Sequence, residues 1–175
     1  MQTEESLKYP VGRFQYVAIA AELRPGLIAE LGKAPEFLNK AVSGLTKEQL
    51  LQSYRPGGWT LAQVVHHIVE SDVNAYPRLK YALTKDVPEV MVADQELWSK
   101  LPDAKSTDIG SSLALFEAIR SRWAVAFKSL SDEAYSRKWR HSRYGELTID
   151  FLLQQYVWYA KHHTAQIVGC RERMG

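Results

Sequence analysis

Gln154-Gln155-Tyr156-Val157-Trp158-Tyr159-Ala160-Lys161-His162-His163-Thr164-Ala165-Gln166-Ile167 holds two of the chain's five histidines. On a 3.6-residue period, Ile149, Leu152, Tyr156, Ala160, His163 and Ile167 fall on one stripe, with Leu153, Val157 and Tyr159 near its edges. The stretch therefore reads as an amphipathic helix. His163 points toward a core and His162 away from it. The only other histidine doublet, His66-His67, lies far upstream in a segment of the same kind. There Val64, Ile68, Ala75 and Leu79 make the apolar stripe, His67, Ser71 and Asn74 line its flank, and His66 lies on the opposite side. Two inward histidines on facing helices suit a divalent metal, because neutral imidazole is a good ligand. They equally suit two hydrogen-bonded core histidines, and a catalytic zinc centre usually needs three protein ligands.

Around these two segments the chain reads as an all-α protein. A length of 175 residues with 46% hydrophobic content suits a single domain over residues 1–175 that buries roughly 70% of its unfolded surface. Pro25 opens the first long helix, which carries Leu27, Ile28, Leu31, Phe37, Leu38 and Val42 and bends at Pro35. Thr46 with Gln49 is a capping box for a short helix, and Thr60 with Gln63 repeats it for the second long helix, from Leu61 to Thr84 with a kink at Pro77. Between them, Tyr54-Arg55-Pro56-Gly57-Gly58-Trp59-Thr60 is a loop. Residues 85–107 form a long crossover connection with a helical turn near Asp94. Asp108 caps the third long helix, Ser131 a short turn and Thr148 the fourth. Four amphipathic helices without sustained two-residue alternation predict a four-helix bundle with short extra helices; residues 1–23 are an extended lead-in.

Charge and cysteine content narrow the partners. Lys plus Arg at 22 against Asp plus Glu at 20 leaves +2, scattered along the chain, which argues against nucleic acid. The densest basic cluster, Arg137-Lys138-Trp139-Arg140-His141-Ser142-Arg143, reads as a solvated loop or small hairpin, with an anion-binding rim as the minor alternative. The single Cys170 excludes an internal disulfide and points to a reducing compartment. Val17 to Ala21 is too short for a signal core or membrane span, so a soluble, cytoplasmic protein is expected. No Gly-x-Ser-x-Gly elbow or phosphate-binding loop is present.

Tyr9-Pro10-Val11-Gly12, Tyr54 to Thr60, Val64-Val65-His66-His67-Ile68-Val69-Glu70-Ser71-Asp72, Ser112 to Phe116 and Tyr156 to His163 occur in the order found in a known family. Over nearly its full length the chain resembles the YfiT branch of the DinB-like proteins, metal-dependent hydrolases related to bacillithiol S-transferases. The resemblance implies a four-helix bundle, often a homodimer, with nickel or zinc held by one histidine of the second helix and two of the last at i and i+4. Two of these ligands carry over onto His67 and His163. The third position is Tyr159, a departure that touches the chemistry, because a phenol with a pKa near 10 is a poor substitute for imidazole.

Three outcomes are open for the metal site. Tyr159 ligates as phenolate and favours a harder metal such as iron; water or a carboxylate, Glu70 or Asp72, completes a weakened site; or the site is empty, with the phenol bonded to His67 or His163. Glu70, one turn from His67, is also the candidate general base or orienting carboxylate, against the alternative of an exposed helix acid. The resemblance implies a metal that activates a low-molecular-weight thiol or water for attack on a small electrophile. The rival reading is a non-catalytic bundle with a degenerate, metal-free pocket.

Overall fold

The structure, a computed structural model, describes residues 3–175. Met1 and Gln2, part of the acidic opening stretch, lie outside the described residues. The elements are α1 (Glu4–Lys8), α2 (Arg24–Val42), α3 (Lys47–Leu50), α4 (Leu61–Thr84), β1 (Glu89–Val90), α5 (Gln95–Trp98), α6 (Gly110–Lys128), α7 (Asp132–Tyr135), β2 (Lys138–His141), β3 (Gly145–Thr148) and α8 (Ile149–Met174). Both expected capping boxes form, at Thr46 with Gln49 and at Thr60 with Gln63, and Thr148 accepts from Phe151 N. Each satisfies backbone N–H groups that a helix start leaves without partners. The third long helix starts one residue later than expected, with Ile109 at its N-cap; the Asp108 carboxylate still accepts from Gly110 N. Pro35 and Pro77 sit within α2 and α4, which continue past them.

Helix directions follow from the cross-helix contacts. His66 meets Ser112, Asp72 meets Arg120, and Tyr76 packs on Trp123, so α4 and α6 run parallel. Residues 85–109 therefore return along the bundle, as expected of a crossover. Lys161 pairs with Glu30 and Arg171 with the Ala41 carbonyl, so α2 and α8 are also parallel. Ser71 meets Tyr156 while His67 meets Tyr159, so α4 and α8 are antiparallel. Among the four long helices, α2 and α4 each pack on both α6 and α8. The bundle order is thus α2-α6-α4-α8, and chain neighbours α2 and α4 sit on a diagonal.

Two apolar clusters fill the bundle. One holds Leu38, Leu61, Val65, Ile68, Phe116 and Ile167; the other holds Leu31, Leu79, Trp123, Phe127, Trp139 and Leu152. Trp123 and Trp139 are fully buried, and truncating either to alanine costs about 3–5 kcal/mol.

The basic cluster folds as the β2–β3 hairpin, and β1 adds to β2 in parallel, a strand that the reading of 85–107 as a helical-turn connection did not include. Arg137 donates to the Ala82 and Lys85 carbonyls at the end of α4, while Lys138 and Arg140 pair with Glu146. Most of the cluster is therefore spent on structure.

The lead-in also departs from the extended reading. It forms α1 and a 3-10 turn at Ala21–Leu23, then lies along α8. Trp158 Nε1 donates to the Gly12 carbonyl, Gln154 Nε2 to the Val17 carbonyl, and Phe14 packs edge-on against Phe151. Among the described residues, no helix is long and apolar enough to cross a membrane.

Candidate metal centre

Three side chains expected at the site converge. The His67 ring lies 4.9 Å from that of His163 and 5.5 Å from that of Tyr159, and the Tyr159 and His163 rings are 4.5 Å apart. They meet because α4 and α8 run antiparallel in contact, which places position 67 between positions 159 and 163 of the facing helix.

The Tyr159 hydroxyl is hydrogen-bonded to His67 Nε2. Burial keeps both groups neutral: it pushes His67 down to about 3 and raises Tyr159 above the ordinary phenol range. His163 is likewise held well below the usual imidazole range by burial. Its Nδ1–H donates to Gln166 Oε1 at 2.8 Å, and Gln166 Nε2 is anchored on the Lys8 carbonyl at 2.9 Å. That fixes the tautomer with the Nε2 lone pair of His163 free, the arrangement in which ligating histidines are commonly held.

The surrounding loop is equally specific. Trp59 sits edge-on at 4.5 Å from the His67 ring. It is carried by a turn in which Gly57 has φ +66 and Gly58 has no room for a side chain, since a Cβ there would fall 2.8 Å from both Arg55 Cγ and the Tyr54 ring. On the opposite side His162 is buried rather than turned to solvent. The bundle core is behind it as the helical period requires, but the lead-in covers it: His162 stacks on Trp158 at 4.6 Å and lies 5.6 Å from the Tyr9 ring. Burial pushes His162 down to about 4; its Nε2 accepts from Gln166, and its Nδ1 has no partner. His66, expected on the far side of α4, is also buried, with Ser112 Oγ at 2.8 Å and the Ser106 carbonyl at 2.9 Å. It is a satisfied core histidine.

The two carboxylates weighed as ligands separate. Asp72 is unavailable: its carboxylate is fully buried in a two-bond ion pair with Arg120, which also donates to the Tyr156 carbonyl. Five residues past His67, it faces α6 rather than α8. Glu70 makes no hydrogen bond to His67, but it lines a cavity of about 630 Å³ together with His67 and Tyr159. Burial and the nearby Asp103 raise its carboxyl pKa.

A second cavity, about 400 Å³, reaches the same pair from the side of Tyr9, Trp59, Trp158 and His163. His67, Tyr159, Gln95 and Glu96 line both. A larger cavity, about 1020 Å³, opens on His66 and Ser112 and shares Glu70, Asn74 and Arg78 with the first. The hairpin residues His141 and Arg143, from the basic cluster whose minor reading was an anion-binding rim, line the first cavity; Arg78 was not singled out by sequence, although the spacing 67, 71, 74, 78 puts His67, Ser71, Asn74 and Arg78 on one stripe of α4.

As a donor set, two neutral imidazoles with free or freeable lone pairs suit a divalent metal, and the phenol supplies an oxygen once its proton leaves. Among the described residues there is no cluster of three His, Cys, Asp or Glu suited to a metal. Tyr159 is the third side chain at the point where the two imidazoles meet.

The DinB superfamily model matches residues 30–167. A Geobacillus thermodenitrificans protein named "Putative metal-dependent hydrolase" is 39% identical over 100% of this chain and 99% of its own length. The Bacillus subtilis protein named "Putative metal-dependent hydrolase YfiT" is 37% identical over 99% of this chain and 98% of its own. A solved structure of that protein, described as "a probable metal-dependent hydrolase with an unusual four-helix bundle topology", superposes with a TM-score of 0.95 over 97% of this chain and 98% of its own.

Proposed function

The chain belongs to the DinB superfamily, and from that premise we propose that it is a metal-dependent enzyme whose His67, His163 and Tyr159 hold a divalent metal between two cavities. The bound metal would supply Lewis acidity, lowering the pKa of a water or thiol so that it acts as a nucleophile near neutral pH. The observation that carries this reading is the convergence of two imidazoles and one phenol, with His67 and Tyr159 lining both cavities and His163 the smaller one.

The protein's own groups have distinct tasks. Gln166 holds His163 in the ligating tautomer, and Trp59 covers the edge of His67 and excludes water. Tyr159 keeps His67 Nε2 occupied until its proton is displaced. An oxygen in place of a third imidazole shifts preference from nickel or zinc toward a harder metal such as iron. Glu70 would act as the general base that takes the proton of the nucleophile, a role supported by its position on the cavity wall and its raised carboxyl pKa. The nucleophile's partner is a small electrophile, with a low-molecular-weight thiol as co-substrate. A homodimer belongs to the same proposal, read by sedimentation of the untagged chain at two concentrations.

A specific feature favours a second reading, a metal-free binding pocket: the Tyr159–His67 hydrogen bond satisfies both groups without an ion. Metal analysis of protein purified without an affinity tag separates the two. Near-stoichiometric metal that is lost in His67→Ala supports the enzyme; a metal-free protein, with affinity for added metal unchanged by His67→Ala, supports the pocket alone.

A further inference from the structure

We propose that Arg78 anchors a carboxylate of the substrate in the cavity that His67 and Tyr159 also line, an inference that rests on reading this cavity as the substrate site. Arg78 follows His67 on the same stripe of α4 by about three turns, and both line the cavity, with Asn74 between them. Helical side chains lean toward the N-terminus, so Arg78 is directed back along the stripe toward His67.

The residue is 8% exposed, yet among the described residues no carboxylate lies within ion-pair distance of it. Its protein contacts are a hydrogen bond from Nη2 to Asn74 Oδ1 and a position 5.5 Å from the Trp139 ring; Nε has no acceptor. Arginine does not shed its proton at any ordinary pH, so burial cannot neutralise it. A buried charge without a counterion is unfavourable until an anion completes it, and the planar guanidinium fork matches a carboxylate.

The rest of the lining limits what the ligand can be. Arg143, from the hairpin, adds a second cation that makes no ion pair among the described residues. Glu70, Asp94 and Glu96 also line the cavity. Asp94 is engaged by the backbone N–H groups of Glu96 and Leu97 at the start of α5. These acids repel a polyanion, so the ligand carries a single carboxylate, with its reacting end toward His67 and Tyr159.

Side-chain 15N NMR of the full-length, metal-free protein, titrated with benzoate, tests the assignment. The Nε–H signal of Arg78 should move saturably while that of Arg120, already paired, stays in place, and benzyl alcohol should not reproduce the shift. Arg78→Lys, which keeps the charge and loses the fork, should weaken benzoate binding at least tenfold, and Arg143→Ala a few-fold. A stationary Arg78 signal, an equal response to benzyl alcohol, or wild-type affinity in Arg78→Lys overturns the proposal. Since no metal is present, failure here leaves the metal assignment standing, and failure of the metal assignment leaves this result readable.

Discussion

Two polar clusters lie close together inside the bundle and follow opposite rules. Asp72 and Arg120, both with side chains at 0% exposure, close on each other, and the remaining guanidinium contact goes to the Tyr156 carbonyl. On the neighbouring face of α4, His67 and Arg78, with Tyr159 and His163 of α8, are enclosed beside open space. Among the described residues Arg78 has no carboxylate partner and His162 Nδ1 has no acceptor, and two cavities reach the His67–Tyr159 pair. A buried polar group is thus no guide to function by itself. Buried polarity left unfinished beside open space is the informative combination.

The largest effect should come from breaking the closed cluster. Asp72→Ala strands the Arg120 guanidinium in the core and should cost about 3–5 kcal/mol in urea unfolding. Arg78→Met removes a charge that has no counterion, and should change stability by about 1 kcal/mol or less, in either direction. Equal losses in the two variants would erase the distinction between the clusters.

The open cluster should instead respond to completion. Tyr159→His restores a third imidazole and removes the need to displace a phenol proton. Nickel or zinc affinity, measured by competition with a chromophoric chelator, should rise by about tenfold or more. An unchanged affinity would mean that position 159 does not face the metal.

Acid stability sharpens the contrast between a neutral cluster and a charged one. His67 at about 3 and His162 at about 4 lie below the unfolded value of 6.5, and His163 is also depressed. The unfolded chain therefore binds more protons as pH falls. Stability is fully present above about pH 6.5 and declines toward pH 4 and below. The urea midpoint should drop from pH 7.5 to pH 5, and less steeply in His162→Phe. A midpoint that holds or rises on acidification would contradict the buried, neutral state of these rings.

Much of this molecule was legible in the chain because it is local. Capping residues at Thr46, Thr60 and Thr148, and the apolar stripes, fix the helices by short-range hydrogen bonding and burial. The inward placement of His67, Tyr159 and His163 follows from the same period together with the family pattern. What stayed hidden depends on pairs distant in sequence. The lead-in covers His162 across a helix face that looks solvent-facing by periodicity, through the Lys8 and Gly12 carbonyls and the Tyr9 ring. Asp72 was a plausible ligand by proximity in sequence until Arg120, on another helix, claimed it. The strand at Glu89–Val90 forms only because β2 is there to pair with it. Arg78 drew no notice because one arginine on a helix flank has no sequence signature; its meaning lies in the counterion that is missing.

Anomalous diffraction from crystals of the untagged protein grown with iron(II), cobalt(II) or nickel(II), collected at each metal edge, tests the central claim most directly. A single peak within bonding distance of His67 Nε2, His163 Nε2 and the Tyr159 hydroxyl oxygen is the predicted result. No peak between the two imidazoles, with the Tyr159–His67 hydrogen bond intact at saturating metal, would contradict it.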